Sequence, residues 1–422
     1  MKHQMVILRL VFGLTFIFSG FVKIIDPVGT SLVIQEYLNV AHLGFLSFLS
    51  VPTGVILSLL EFMVGVAILM RMRMKEASWL AMVMTVFFTI LTLLLLIFDP
   101  IQDCGCFGEA AYLTHGETFF KNILLLVCII PIFIHRNDFR RDSSVFVEWL
   151  FLSIYGVIAL GFSMVSYIRM PVVEFGDFKT GTDIAVKLSE ASESRDFETI
   201  FIYEKNGEQR EFSLEDLPDS TWTYIDSKDV SAPEDEAPFD FYVTNEAGEY
   251  ITDTLITTDI PILMCSIYNL DRFYTEQRWM DINILKQRVE EIGGELWILV
   301  ASTPERVSEL LGEDALTTFE FGYTDYKTAI AVHRSNGGYL YINSAFIIKK
   351  WSRQGLPSDG DISVMEKDYD VMMIHDIIKQ QLIYEISIVV LLASIAIIRY
   401  FCKVVAMRRL RKARAESSSD PL

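Results

Sequence analysis

The sequence predicts a polytopic α-helical membrane protein that carries an α/β domain on one side of the bilayer. Three observations predict it. The chain of 422 residues is 51% hydrophobic with a mean hydropathy of +0.35, and its apolar runs repeatedly reach the roughly 20 residues that span a bilayer. Its charge is segregated: Pro171 to Gln380 holds 41 Asp+Glu against 18 Lys+Arg, a net of −23, leaving +4 for the rest of a chain whose total is −19. Within that acidic block, strand-like and helix-like stretches alternate.

The spans are expected at about Val6–Ile25, Pro52–Leu69, Ala77–Phe98, Phe119–Ile134, Val145–Tyr167 and Leu382–Ile398. The first lacks a small-residue cleavage site after a short apolar core, so it reads as a retained helix and not a signal peptide. Basic clusters follow the second (Arg71, Arg73, Lys75), the fourth (Arg136, Arg140, Arg141) and the sixth (Arg399, Lys403, Arg408, Arg409, Arg411, Lys412, Arg414). By the positive-inside rule these ends and both termini are cytoplasmic. The expected location is the inner, cytoplasmic membrane, with the acidic block in the periplasm. Ser31–Ser50 is apolar but too mixed to span, and is expected to lie as an interfacial or re-entrant helix over the outer mouth of the bundle. A net-acidic outer block argues against nucleic acid as a partner; the expected partners are the lipid bilayer and an extracytoplasmic protein.

The acidic block divides at Ser231–Pro238, a Pro- and acid-rich linker. Before it, a strand at Thr199–Tyr203 and the pair Asn206-Gly207 predict a hairpin. After it come strand Phe239–Thr244, turn Asn245–Gly248, strand Ile260–Ile267, helix Arg272–Gly293, strand Glu295–Ala301, helix Pro304–Leu311, strand Thr318–Phe321, turn Asn336–Gly338, and strands Tyr339–Ile342 and Phe346–Trp351. A helix from about Ile362 leads into the sixth span. This alternation predicts an α/β layer fold with a central sheet.

The most informative stretch is Asp99–Gly108, a loop between the third and fourth spans that holds Cys104 and Cys106 around Gly105. At i,i+2 the two Cα atoms lie roughly 6 to 7 Å apart in extended chain, the upper edge of the disulfide range. A ring closed there is tight, and strained exposed disulfides exchange readily. The readings left open are redox exchange, two reduced cysteines packing the loop, and a purely structural disulfide. A metal site is the weakest, because His115 alone adds little to Cys-x-Cys.

Glu61 lies about ten residues into the second span, where an ionisable side chain is a functional candidate by default. Lys23, near the outer end of the first span, is placed to reach Glu61 or to pair with Asp26. The two readings are a pair that fixes bundle register, or a proton or quinone-headgroup site beneath the cysteine loop. Arg9 is expected to snorkel to the cytoplasmic face. Cys128, deep in the fourth span, and Cys402, on the cytoplasmic side, read as inert thiols.

Two resemblances add to this reading. The order of elements after the linker resembles the thioredoxin fold in its thiol-reductase or peroxiredoxin-like branch. Where that fold carries Cys-x-x-Cys, this chain has Cys265 alone, inside a strand, and Asn336-Gly337-Gly338 where a proline faces the thiols. The resemblance therefore implies a domain that has lost the usual chemistry and positions a partner instead. The membrane half is similar to the DoxX group, through Arg9, Gly13, Ser19–Pro27 and Glu61–Gly65. Asp103-Cys104-Gly105-Cys106-Phe107-Gly108, with Thr118 to Asn122 opening the next helix, resembles its methylamine-utilisation MauE branch, in the form found in Bacteroidetes. The similarity covers about residues 1–135 and implies a four-helix bundle. It also implies an accessory role in maturing disulfide-rich extracytoplasmic proteins, with a quinone as the one cofactor it brings in. The two extra spans and the outer domain depart from MauE, so methylamine metabolism itself is not expected.

The reading is therefore a DoxX/MauE-like four-helix bundle (1–135), a fifth helix and linker (136–170), a β-rich subdomain (171–235), a degenerate thioredoxin-like domain (236–360), and a helix, sixth span and basic tail (361–422). Cys104 and Cys106 are the candidate reactive residues. Lys23, Glu61, Arg9 and Asp26 are the intramembrane polar set, and Asp103, Gly105, Phe107, Gly108 and Asn122 the supporting motif. The alternative is a non-enzymatic scaffold whose outer domain docks envelope partners. A transporter with Glu61 as coupling site ranks third, since no internal repeat is visible.

Overall fold

The structure is a computed structural model that describes residues 2–98, 101, 104–139, 143–194, 198–205, 208–212, 223–230, 239, 241–258, 260–365 and 367–417. Asp103, the Asn206-Gly207 turn and the 231–238 linker lie outside the described residues.

Among the described residues, six helices are long and apolar enough to cross a membrane. They fall in α1 (Lys2–Ile25), α3 (Ser50–Met70), α4 (Met74–Phe98), α5 (His115–Ile134), α6 (Val145–Ile168) and α15 (Tyr369–Ser417). Between the first two sit α2 (Pro27–Val40) and a 3-10 turn at Gly44–Leu49, so the single segment expected over Ser31–Ser50 is two pieces. Asp26 caps the start of α2 by accepting from Gly29 N and Pro27 takes the first helical position, while the break comes at 41–43, where His42 turns the chain at φ +55°. Helix α5 opens with a capping box, Thr114 and Glu117 each bonding the other's backbone.

Helices α1 and α3 form the tightest crossing. A Cβ on Gly20 would lie 2.5 Å from Phe62 N and one on Gly65 2.7 Å from Ile17 N, so both backbones need glycine there. Without a hydrophobic force between helices in lipid, such close approach is a main source of association. The fifth span is part of this bundle: α6 packs on both α1 and α3, and its Leu152, Tyr155 and Ala159 share one core with Phe12, Ile68 and Ile129. Large side chains such as Phe98, Phe120 and Phe146 remain exposed, as lipid-facing positions do.

The sixth span is longer than expected. Helix α15 has 49 residues, about 74 Å at 1.5 Å each, and it follows the short α14 (Asp359–Met365). Its first turns run along the linker after α6, where Thr180 donates to Asp376 and Gln380 accepts from Glu174 N. Further on, Tyr155 Oη and Ser394 Oγ meet at 2.9 Å.

Beyond α6 and α7 (Ile184–Ser194), strands β1 (Glu198–Lys205), β2 (Glu208–Phe212) and β3 (Thr223–Val230) form an antiparallel sheet in the order β2-β1-β3. The expected strand at Phe239–Thr244 is not one. Only Thr244 makes isolated bridges, to Tyr250 and Tyr323, while Phe239, Phe241 and Val243 fill the core through an irregular segment before α8 (Thr252–Thr257).

The second sheet has five strands in the order β6-β5-β4-β7-β8. They are β4 (Ile262–Ile267), β5 (Glu295–Val300), β6 (Glu320–Tyr323), β7 (Gly338–Asn343) and β8 (Phe346–Trp351). The first three are parallel and the closing hairpin runs against β4. The helix expected over Arg272–Gly293 is divided into α9 (Leu270–Phe273) and α10 (Glu276–Glu291), because Thr275 caps a new start by accepting from Arg278 N. Helices α11 (Pro304–Leu311), α12 (Glu313–Thr318) and α13 (Tyr326–Val332) complete the layer. Strand β4 is buried along its whole length, as a central parallel strand should be.

Candidate functional site at the cysteine loop

The site is built where α1 and α3 cross beneath the loop that joins α4 to α5. Lys23 Nζ lies 2.9 Å from both carboxylate oxygens of Glu61, with side chains 7% and 3% exposed. Ser19, one turn before Lys23 on the same helix face, is 2.7 Å from Glu61 Oε2 and 2.8 Å from the carbonyl oxygen of Cys106, so its one hydroxyl proton serves two acceptors. The cysteine loop thus dips into the bundle and rests on the buried ion pair. The intramembrane charges and the Cys-Gly-Cys motif form one polar cluster.

Gly105 makes that descent possible. Its φ is +63°, and a Cβ there would meet Val33 Cγ1 of α2 at 2.6 Å. Gly105 O then accepts from Gly108 N at 3.2 Å, closing a tight turn. Helix α2 lies over the loop, with Tyr37 Oη donating to Cys104 O at 3.2 Å. Cys104 is buried against Leu95 and Ile101, and its sulfur is 3.4 Å from Thr118 Oγ1 in the first turn of α5. Phe107 stacks edge-on to Phe18, ring centroids 5.3 Å apart, under the ammonium of Lys121 at 4.4 Å. Asn122 ties α5 to α4 by donating to Phe88 O at 3.2 Å and Thr92 Oγ1 at 3.1 Å.

Both loop cysteines are free thiols, and they are unlike each other. Cys106 N donates to Cys104 Sγ at 3.4 Å, and the two side chains also share a hydrogen bond. The Cys104 thiol is held far above its ordinary range, first because it donates that bond and next because it is buried. The same bond brings Cys106 down to about 6; burial opposes this, and the cations of Lys121 and Lys23 assist it. That bond therefore drives the two thiols apart, Cys104 upward and Cys106 downward.

The other predicted residues fall elsewhere. Asp26 pairs not with Lys23 but with Arg334 of the α/β domain, at 2.9 Å. Arg9 does not snorkel to solvent. It is 3% exposed and donates to Ile68 O at 3.1 Å and Leu69 O at 3.2 Å, capping α3 at the end opposite the cysteine loop. Gly108, at φ +54°, opens the 3-10 turn after the motif. Cys128 is buried in the bundle core, and Cys265 is buried in β4 with its thiol pushed up to about 12 by burial.

Sequence reading passed over Ser19, Thr118, Tyr37 and Lys121 as site residues, and Arg334 and Glu109 altogether. Ser19 was detectable at i−4 from Lys23. Arg334 was not, lying 308 positions from its carboxylate at Asp26.

The cluster does not fit a quinone headgroup. Lys23 directs its donors at both oxygens of Glu61, and Ser19 bridges Glu61 to the loop carbonyl of Cys106, which leaves these polar groups committed to one another. Among the described residues no group of three or more His, Cys, Asp or Glu comes together to hold a metal ion.

In comparisons with known proteins, residues 1–134 match the family described as Methylamine utilisation protein MauE. Residues 197–231, the region of the three-stranded sheet, match a domain of unknown function, DUF8463. No curated protein and no solved structure matches.

Proposed function

We propose that this multi-pass membrane protein is an accessory of extracytoplasmic thiol–disulfide exchange, with Cys106 as nucleophile and Cys104 as its resolving partner. The observation that carries the reading is the Cys104–Cys106 pair itself: two free thiols in one tight turn, with Cys106 N on Cys104 Sγ at 3.4 Å and Lys121 beside the loop, an arrangement that lowers the Cys106 thiol and raises that of Cys104. That is the arrangement a two-step exchange needs. The Cys106 thiolate attacks one sulfur of a partner's disulfide, forming a mixed disulfide and expelling the partner's first thiolate, which takes the Cys104 proton. Cys104 then attacks the Cys106 sulfur and releases the partner's second thiolate. The partner gains two electrons and the loop closes as a Cys104–Cys106 disulfide. Run backwards, the same steps oxidise a partner dithiol.

The match of the bundle to MauE supports an accessory role in maturing another protein. The basic clusters at the end away from the loop support an orientation with the loop and outer domain outside the inner membrane and both termini cytoplasmic. The sheet order, with β7 antiparallel to β4 and a closing hairpin, supports a thioredoxin-like outer domain. Cys265 has no exposure within β4, so this domain presents the partner and leaves the exchange to the loop. That same observation favours a second reading, a scaffold that docks an envelope protein without redox chemistry.

Thiol trapping in intact cells separates the two. A membrane-impermeant maleimide, applied before and after mild reduction, should label Cys106, and a Cys104→Ser variant should accumulate a mixed disulfide with its partner. If the variant traps nothing and the partner's redox state is unchanged, exchange is wrong and the scaffold stands.

A further inference from the structure

The outer domain and the cysteine loop meet through one buried side chain. Arg334, in the turn between α13 and β7, is 6% exposed and sits among the outer ends of the membrane helices. Its Nη1 donates to Ile330 O at 2.8 Å, which fixes it on its own domain. Its Nε donates to Asp26 Oδ2 at 2.9 Å, and its Nη2 to Glu109 Oε1. Both carboxylates matter to the thiols. Glu109 is three residues after Cys106, on the turn that ends the loop. Asp26 caps α2, the helix whose Val33 presses on Gly105 and whose Tyr37 bonds Cys104 O.

On the domain side the same turn is wired to the end of β4. Asn336 accepts from Asn269 N at 2.9 Å and donates to Asn269 O at 2.8 Å, while Tyr268 Oη approaches Arg334 O at 3.4 Å. Two further contacts hold α13 on α2, an ion pair between Lys327 and Glu36 and a side-chain hydrogen bond between Tyr326 and Gln35.

We infer that Arg334 is a positioning residue through which the outer domain sets the conformation of the Cys104–Cys106 loop. It holds the loop's exit at Glu109 and, through Asp26, the helix that covers it. Whatever engages the Tyr268–Asn269 end of the sheet is thereby coupled to the thiols by a continuous run of bonded groups. The inference deepens the exchange reading and rests on it for its meaning. Its geometry does not depend on exchange occurring, and the test uses only a thiol's reactivity.

In the full-length protein, the rate of Cys106 alkylation by iodoacetamide is followed from pH 5 to 9 by peptide mass spectrometry, with Cys265 read in the same samples. Arg334→Gln should raise the limiting Cys106 rate by about 5-fold or more, as local opening frees the loop. It should also move the pH midpoint upward, because the thiol–thiol bond loosens. Arg334→Lys should restore most of the wild-type profile, and adding Glu109→Gln to Arg334→Gln should change little more, since both break one link. A role as mere glue would leave the Cys106 midpoint in place. If Arg334→Gln also makes Cys265 reactive, the domain has opened, and Glu109→Gln alone, which leaves the Asp26 contact, takes its place. Unchanged Cys106 kinetics in variants whose Cys265 stays protected overturn the inference. A Cys106 that responds to Arg334 yet never exchanges with a disulfide overturns the exchange reading and leaves the coupling intact.

Discussion

Cys106 and Cys265 are the same side chain in opposite settings. Cys265 lies in the central strand of the five-stranded sheet with no exposure, shares a hydrogen bond with Tyr339, and burial pushes its thiol up to about 12. Cys106 lies in a loop that descends among charges, accepts a hydrogen bond from Cys104, and is held near 6. A regular strand meets its hydrogen-bonding needs through its own ladder and needs nothing polar from its side chains. A loop that enters a membrane bundle must find partners for its backbone, and here Ser19 and Tyr37 supply two of them. The groups that serve the loop's backbone also surround its thiols. Reactivity follows the irregular backbone.

That contrast is broken most directly by comparing the two thiols. At pH 7 the thiolate fractions implied by values near 6 and near 12 differ by about 10⁵, which the lower intrinsic nucleophilicity of an acidic thiol reduces to about 10²- to 10³-fold. Iodoacetamide should therefore modify Cys106 at least about 100 times faster than Cys265 in the folded protein. Equal rates would mean that the loop is not an acidic thiol site at all.

The next largest effect concerns the ion pair beneath the loop. Removing one partner of a buried pair strands the other charge, at about 3–5 kcal/mol. Lys23→Met or Glu61→Gln alone should each destabilise the bundle by that order, read by unfolding in mixed micelles. The double variant Lys23→Met/Glu61→Met should recover much of the loss. Single variants that unfold like the wild type would show that the pair is not needed to hold the α1–α3 crossing.

The α/β domain has a pH dependence of its own. His333 is fully buried, and its pKa is lowered to about 3, chiefly by burial with Lys350 adding to it. The unfolded chain takes up this proton near 6.5 and the folded domain does not until about 3. Stability from His333 is thus complete above 6.5 and falls as the pH drops toward 3, by about 1.4 kcal/mol per pH unit. Glu109, raised chiefly by burial, works in the opposite sense, since its folded form holds a proton longer as pH rises. The clean reading is a difference: His333→Gln should flatten the acid limb of the wild-type curve between pH 6.5 and 4. Parallel curves would refute it.

How much was legible in the sequence follows the same division. The apolar runs that become α1, α3, α4, α5 and α6 end within a few residues of their expected limits, because length and hydropathy alone decide a span. Helix α11 and strand β8 also fall where expected, each bounded by a clear local signal. The motif around Cys104 and the charges at Lys23 and Glu61 stood out, since each violates its surroundings. What joins them did not. Ser19 looks like any helix serine, and Arg334 meets Asp26 and Glu109 only once the α/β domain is seated on the bundle. Arg9 was misjudged because snorkelling assumes a free path to water, whereas the end of α3 presents carbonyls that it caps. The strand expected at Phe239–Thr244 is absent because alternating apolar residues suit any segment with one buried side, and here the segment's pairing is limited to single bridges at Thr244.

The smallest expected effect tests which neighbour makes Cys106 acidic. The hydrogen bond from Cys104 is the leading cause, and the cations of Lys121 and Lys23 are auxiliary. Lys23 is committed to Glu61, so its field at the sulfur is partly cancelled by its own partner. Lys121 sits on the Phe107 ring beside the loop. Lys121→Met should raise the midpoint of Cys106 alkylation by less than about one pH unit, Lys121→Arg should hold it, and added salt should mimic the methionine variant in part. Cys104→Ser should raise it further, because a hydroxyl replaces the closer donor. If Lys121→Met shifted the midpoint more than Cys104→Ser, the order of causes would be inverted. The thiolate would then belong to a surface cation and not to the paired cysteine, and the case for Cys104 as resolving partner would weaken with it.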